Sequence, residues 1–234
     1  MNYFDEKWAY YAGKRSKVRM PKQGLVFYAP LNGSHSTAET GQTLVLHGIE
    51  DYRVVQGISC LCHTHNTNFW MQAKGTYPKL TNTGGYTLSA WLRYSASSLK
   101  AGTWFGGLTK ETSWGNCMLL YGNTSGRFSL VHGGGGEDVG FSTFSDVRWR
   151  HLAAVLDGPS STVKGYVNGS LVVTNSSAFS TYVKEYTAVR LCTDYAGDSR
   201  GKLGTYNMAA FRIYSRALDD QEIAALASEF TPTA

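Results

Sequence analysis

Long apolar runs, charge and cysteine are all in short supply in this 234-residue chain. No stretch approaches the ~20 consecutive apolar residues of a membrane-spanning helix, so insertion into a bilayer is not expected. Charged residues reach only 17%, against 42% hydrophobic, a balance that supplies a packed interior. The four cysteines, Cys60, Cys62, Cys117 and Cys192, do not have the spacing of the usual zinc frameworks. Cys60 and Cys62 would share one face of one strand, and buried free thiols packed as small hydrophobes are expected. Residues 1–6 carry acids where a secretory leader has basic residues, and no apolar core follows. The expectation is a chain that stays in the cytosol, joins a particle, or has had a leader trimmed.

The formal charge of +5 is concentrated at one end. Residues 1–22 hold six of the 22 basic residues and two of the 17 acidic ones, so the rest is almost neutral. Nucleic-acid binding needs a basic surface spread over the folded domain, and nucleic acid is not expected as a partner. Trp8, Tyr10 and Tyr11 give residues 1–22 more rings than a disordered tail usually carries. That segment reads as a leader or as an arm that docks on a neighbour, and residues 23–234 as one domain.

Glycine (26 residues) and tyrosine (15) are plentiful, which points to turns and pleated surfaces. Strands are expected over 25–31, 58–62, 87–94, 103–108, 117–121, 127–131 and 151–156. In 87–94 the residues Leu88, Ala90, Leu92 and Tyr94 alternate with Thr87, Ser89, Trp91 and Arg93, the period of a half-buried strand. Asn168-Gly169 tolerates positive φ at both central positions, so 163–167 and 170–173 form a hairpin around a type I′ turn. After a strand at 211–214, Asp219 and Glu222 make a capping box, with Leu218 and Ile223 as a hydrophobic staple. A helix over 220–227 follows. His151 reads as a structural histidine within its strand.

Four segments together resemble a known family. Thr87-Leu-Ser-Ala-Trp-Leu92 is similar to the "TISAWV" strand of the concanavalin A-like superfamily, in its laminin-G-like form. Trp149-Arg-His-Leu-Ala153 resembles its "WHHVA", and Tyr166-Val-Asn-Gly169 its "YVNG" hairpin. Phe211 to Ile223 resembles its closing "VRIYNRALSxxEI". All four stand in the family's order, over roughly residues 24–227. The opening 24–31, with 38–41 and 57–60, looks more like versions found in phage and prophage genomes. The resemblance implies an all-β fold, a two-sheet antiparallel β-sandwich (jelly roll) with a short C-terminal helix. It also implies a non-catalytic recognition domain for a glycan or cell surface, carried on a virion or extracellular surface assembly. Many members hold Ca²⁺ at the rim of the sheets. The chain departs from the pattern at Ala209-Ala210, where the family places an acid before the strand.

Glycosidases of this topology carry Glu-x-Asp-x-x-Glu on one strand, because two carboxyl groups must flank one glycosidic bond. That spacing is absent, and Asp219-Asp-Gln-Glu222 is explained by the capping box. No G-x-S-x-G elbow is present either. Calcium needs loop oxygens, for which Asp194, Asp198, Glu137 and Asp138 are candidates; solvated turn acids are the alternative. For a sugar the candidates are Trp104, Trp114, Tyr121 and Tyr195, whose faces can stack on a ring, with the Asn116 amide for hydroxyls. Burial as core aromatics is the competing reading. A self-assembling scaffold joined through the N-terminal arm is a second hypothesis for the whole chain, and a glycosidase or lyase a third.

Overall fold

The computed structural model describes residues 19–33, 38–64, 69–94, 96–99, 103–110, 113–123, 125, 127–132, 137–176, 185–194 and 204–233, and for 96, 113–116, 132, 137–139 and 142 the backbone alone. Two antiparallel sheets face each other. The first runs β13 (Ser170–Asn175), β12 (Thr162–Val167), β11 (Arg148–Asp157), β6 (Gly85–Tyr94), β15 (Tyr206–Tyr214), β4 (Ile58–His63), β3 (Tyr52–Val55). β1 (Leu25–Ala29) pairs with the C-terminal half of β15, on the edge whose N-terminal half holds β4. The second sheet runs β10 (Glu137–Thr143), β9 (Arg127–His132), β8 (Ser113–Gly122), β7 (Thr103–Lys110), β14 (Ala188–Leu191), β5 (Trp70–Lys74), β2 (Val45–His47). The expected sandwich is the observed one.

Leu88, Ala90, Leu92 and Tyr94 of β6 meet Phe105, Leu108, Met118, Leu120, Phe128 and Leu130 from the opposing sheet in one buried core. Each fully buried side chain of this size stabilises the fold by roughly 1.5–3 kcal/mol. The other face of β6 was expected in solvent and is not. Thr87 and Ser89 are inaccessible and Trp91 nearly so. A third layer covers them.

That layer is α1 (Asp220–Ala227) and the tail after it. Its start follows from two residues: the Asp219 carboxylate accepts from the Glu222 amide at 2.8 Å, and the Glu222 carboxylate accepts from the Asp219 amide at 3.1 Å. Leu218, Ile223 and Leu226 are buried against Ala153, Val155, Tyr166 and Tyr214 on the outer face of the first sheet. Thr87 holds the entry, accepting from the Leu218 amide and donating to the Arg216 carbonyl. Beyond the helix, Phe230 packs edge-on against Trp91, whose indole N–H donates to the Leu226 carbonyl. Arg212 and Glu229 form a bidentate pair at 2.7 and 2.6 Å, with both side chains under a tenth exposed.

The Asn168-Gly169 turn has positive φ at both residues, as its sequence requires. Asn168 also accepts from the His151 amide through its side chain and donates its own amide to the His151 carbonyl, so the hairpin tip is tied to β11. A Cβ at Gly169 would stand 3.1 Å from Ala224 and 3.2 Å from Ala227, so any side chain there crowds the helix as well as straining a backbone at φ 83°. Ala209-Ala210 lies in a bulge of β15, with Ala210 at φ 50° and its amide donating to the Pro30 carbonyl. Both alanines are buried, in the apolar cluster that holds Trp91 and Trp149.

Five strands went unanticipated: β2, β3, β5, β10 and β14, of three to seven residues each. The described cysteines are free thiols, as expected. Cys60, Cys117 and Cys192 are buried, but Cys62 is only half-buried.

Candidate ligand-binding face

The second sheet turns its inner side chains to the core and leaves an outer face. At the centre of that face Thr109, Cys117 and Leu119 are inaccessible. At one end, four rings are half-exposed or exposed. Trp104 of β7 lies opposite Tyr121 of β8, with ring centroids 4.6 Å apart and planes tilted by 47°. Two strands over, Trp70 of β5 lies opposite His47 of the edge strand β2. Those two rings are stacked at 3.7 Å and nearly parallel. The intervening strand β14 contributes Arg190, whose guanidinium sits 6.0 Å from the Trp70 ring centre. Arg190 Nε donates to Gln72 Oε1 at 3.3 Å, fixing the guanidinium between the two aromatic pairs.

Gly106 and Gly107 make this arrangement possible. Both have φ in a range that L-residues avoid, at 144° and 157°. A Cβ at Gly106 would stand 2.6 Å from the Arg190 carbonyl, and one at Gly107 would run into the Met118 carbonyl. The register shifts between Trp104 and Gly106, a bulge that turns Phe105 into the core and Trp104 outward beside Tyr121.

The sequence candidates fall as follows. Trp104 and Tyr121 are brought together. Trp114 and Asn116 belong to the first half of β8, which begins four residues earlier than expected, and only their backbone is described. Glu137 and Asp138 stand on β10, opposite His132 and Val131, rather than in a turn. Asp194 is buried just beyond β14. Tyr195 and Asp198 lie outside the described residues. Among the described residues no three His, Cys, Asp or Glu side chains converge as a metal site requires.

Trp70, His47, Gln72 and Arg190 were missed. A signal existed: in Trp70-Met-Gln-Ala-Lys74 the apolar Met71 and Ala73 alternate with Trp70, Gln72 and Lys74, a strand with an aromatic outer face. Chemically, the end of the face offers ring surfaces for stacking, while Gln72 and Arg190 are themselves buried and support the rings. Strands β2, β5, β7, β8, β9 and β14 themselves contain no Asp or Glu.

Two antiparallel sheets in this order, with a helix sealing one of them, define a jelly roll of the lectin type. The chain belongs to the concanavalin A-like lectin/glucanases superfamily, whose laminin-G model matches residues 67–224. Among curated proteins none matches the sequence. Solved structures share the fold at low identity. The binding domain of Paraclostridial Mosquitocidal Protein 1 superposes with a TM-score of 0.66 at 15% identity, covering 87% of this chain and 52% of that one. The botulinum neurotoxin serotype G binding domain gives 0.66 at 13%, covering 87% and 50%. A botulinum neurotoxin type C structure, described through its interaction with two ganglioside molecules, gives 0.64 at 12%, covering 89% and 52%. The chain thus spans about half the length of these structures.

Proposed function

We propose that this chain is a non-catalytic recognition module that holds a glycan, on its own or on a cell surface, against the aromatic end of its second sheet. The observation that carries this reading is the Trp104–Tyr121 pair, half-exposed on the one outer face that α1 does not cover. The pyranose ring has an apolar side that stacks on such rings, and the buried Gln72–Arg190 pair braces the strands between them. The similar solved structures are described as binding domains, which supports a binding role for the fold they share. Hydrolysis is no part of this reading, because the strands beneath the rings supply no carboxylates to flank a glycosidic bond. On a virion or other extracellular assembly, the basic aromatic segment 1–22 would be the docking arm, a setting that the phage-like opening motifs support.

A glycan array run with the full chain and with Trp104→Ala tests the reading, each with and without chelator. The expected outcome is a defined set of glycan hits that Trp104→Ala weakens about tenfold, equivalent to ~1.4 kcal/mol. Hits lost on chelation would assign Ca²⁺ a role at the rim. An array without hits, or hits indifferent to Trp104, would overturn the proposal.

A further inference from the structure

The four rings of the second sheet stand in one row across its strands. β8, β7, β14, β5 and β2 run side by side, and all of them but β14 contribute a ring: Tyr121, Trp104, Trp70 and His47 in that order. The two pairs are nearly level. Met71 and Gly106 both lie opposite Leu191, the last residue of β14. Trp70 is one residue beyond Met71 and Trp104 two beyond Gly106 in the same direction, an offset of one residue along the strands. Strands are about 4.8 Å apart, so two spacings and that offset set the tryptophans roughly 10 Å from each other. Between them, β14 keeps its side chains down. Arg190 is buried and bonded to Gln72, while Cys192, just past the strand at φ 62°, gives its side chain to the core. Trp104, Tyr121 and Trp70 remain half-exposed and His47 exposed, on either side of that interval.

Resting on the glycan-holding role proposed above, we infer that the ligand is a linear oligosaccharide lying across the strands. One sugar stacks on the Trp104–Tyr121 pair, and the sugar two positions along stacks on the His47–Trp70 pair. A pyranose with its bridging oxygen, built of ~1.5 Å bonds, advances an extended chain by roughly 5 Å. The spacing of the tryptophans therefore matches two sugars of such a chain, with the middle sugar spanning the interval over β14. A single terminal sugar reaches one pair only. A chain of three reaches both, and the four strand spacings from Tyr121 to His47, about 19 Å, accommodate four. The second contact is made without a second loss of translational freedom, so affinity climbs with chain length until both pairs are filled.

The test presents the full chain with an array of linear α- and β-linked homo-oligosaccharides of one to six sugars, beside branched and terminal glycans, and titrates the series that binds. Affinity is expected to rise about tenfold from two sugars to four, with no further gain at six. Trp70→Ala returns the four-sugar affinity to the two-sugar level and leaves the two-sugar affinity within about twofold, because the Trp104 pair still serves the short ligand. Three results would overturn the linear mode while leaving the recognition role standing. These are hits confined to branched or terminal glycans, equal affinity for two and four sugars, and a four-sugar affinity indifferent to Trp70→Ala. An array without any glycan hit removes both. The wild-type length series decides alone if the variant fails to fold.

Discussion

The two outer faces of the sandwich carry the same kinds of side chain and treat them differently. On the first sheet Trp91 and Trp149 lie under or beside the C-terminal layer, and each indole N–H reaches a backbone carbonyl, that of Leu226 or Val55. On the second, Trp104 and Trp70 stay half-exposed and meet other rings, Tyr121 and His47. The tryptophans do not differ in chemistry. What differs at these positions is cover by the C-terminal layer, which is set some hundred residues away by a capping box and a staple. An aromatic on a β-sheet face becomes cement or contact surface according to what the end of the chain does.

The sharpest way to break this contrast is to remove one member of the pair that fastens the third layer. Arg212→Ala leaves Glu229 buried without its partner, and a loss of about 3–5 kcal/mol is expected in urea denaturation. Next in size is acid. His151 lies in the same sealed face with neither ring nitrogen hydrogen-bonded. Burial, with Arg212 nearby, lowers its pKa from 6.5 to about 3. The unfolded chain takes up a proton below pH 6.5 that the folded chain refuses until about pH 3. Stability is therefore full above pH 6.5 and falls as the pH drops through that window, by about 3 kcal/mol at pH 4. Urea midpoints at pH 7 and pH 4 measure this loss, and a His151→Leu variant that kept the full slope would contradict it. Asp219→Ala is smaller, about 1 kcal/mol, since one cap is lost while the packed face of α1 remains. The smallest effect on stability belongs to the open face: Trp104→Ala is expected to lower the thermal midpoint least, while weakening ligand most.

Helix α1 was legible to the residue because its start is written in contiguous side chains, and the hairpin because Asn-Gly specifies a turn by itself. The sealed face of β6 was not legible. Its alternation is that of a half-buried strand, and nothing within the strand announces that Ile223 and Leu226 will lie over it. The site was half legible. Trp104 and Tyr121 stood out as rings near turns, but their pairing depends on a bulge that two glycines permit. Trp70 reaches the same end of the face only because β14, four residues from a distant part of the chain, inserts between β7 and β5. Short strands of that kind carry too few residues for a period to declare itself.

The placement of β1 bears on how the molecule is made. Residues 25–29 bond locally to Glu39, Thr40 and Gln42, but find their strand partner in residues 211–214, far along the chain. The β1 edge therefore stays without its strand partner until β15 has been made, with loop closure deferred across the intervening chain. Such distant pairing makes for slow folding, and for a long interval in which that unpaired edge is open to other chains.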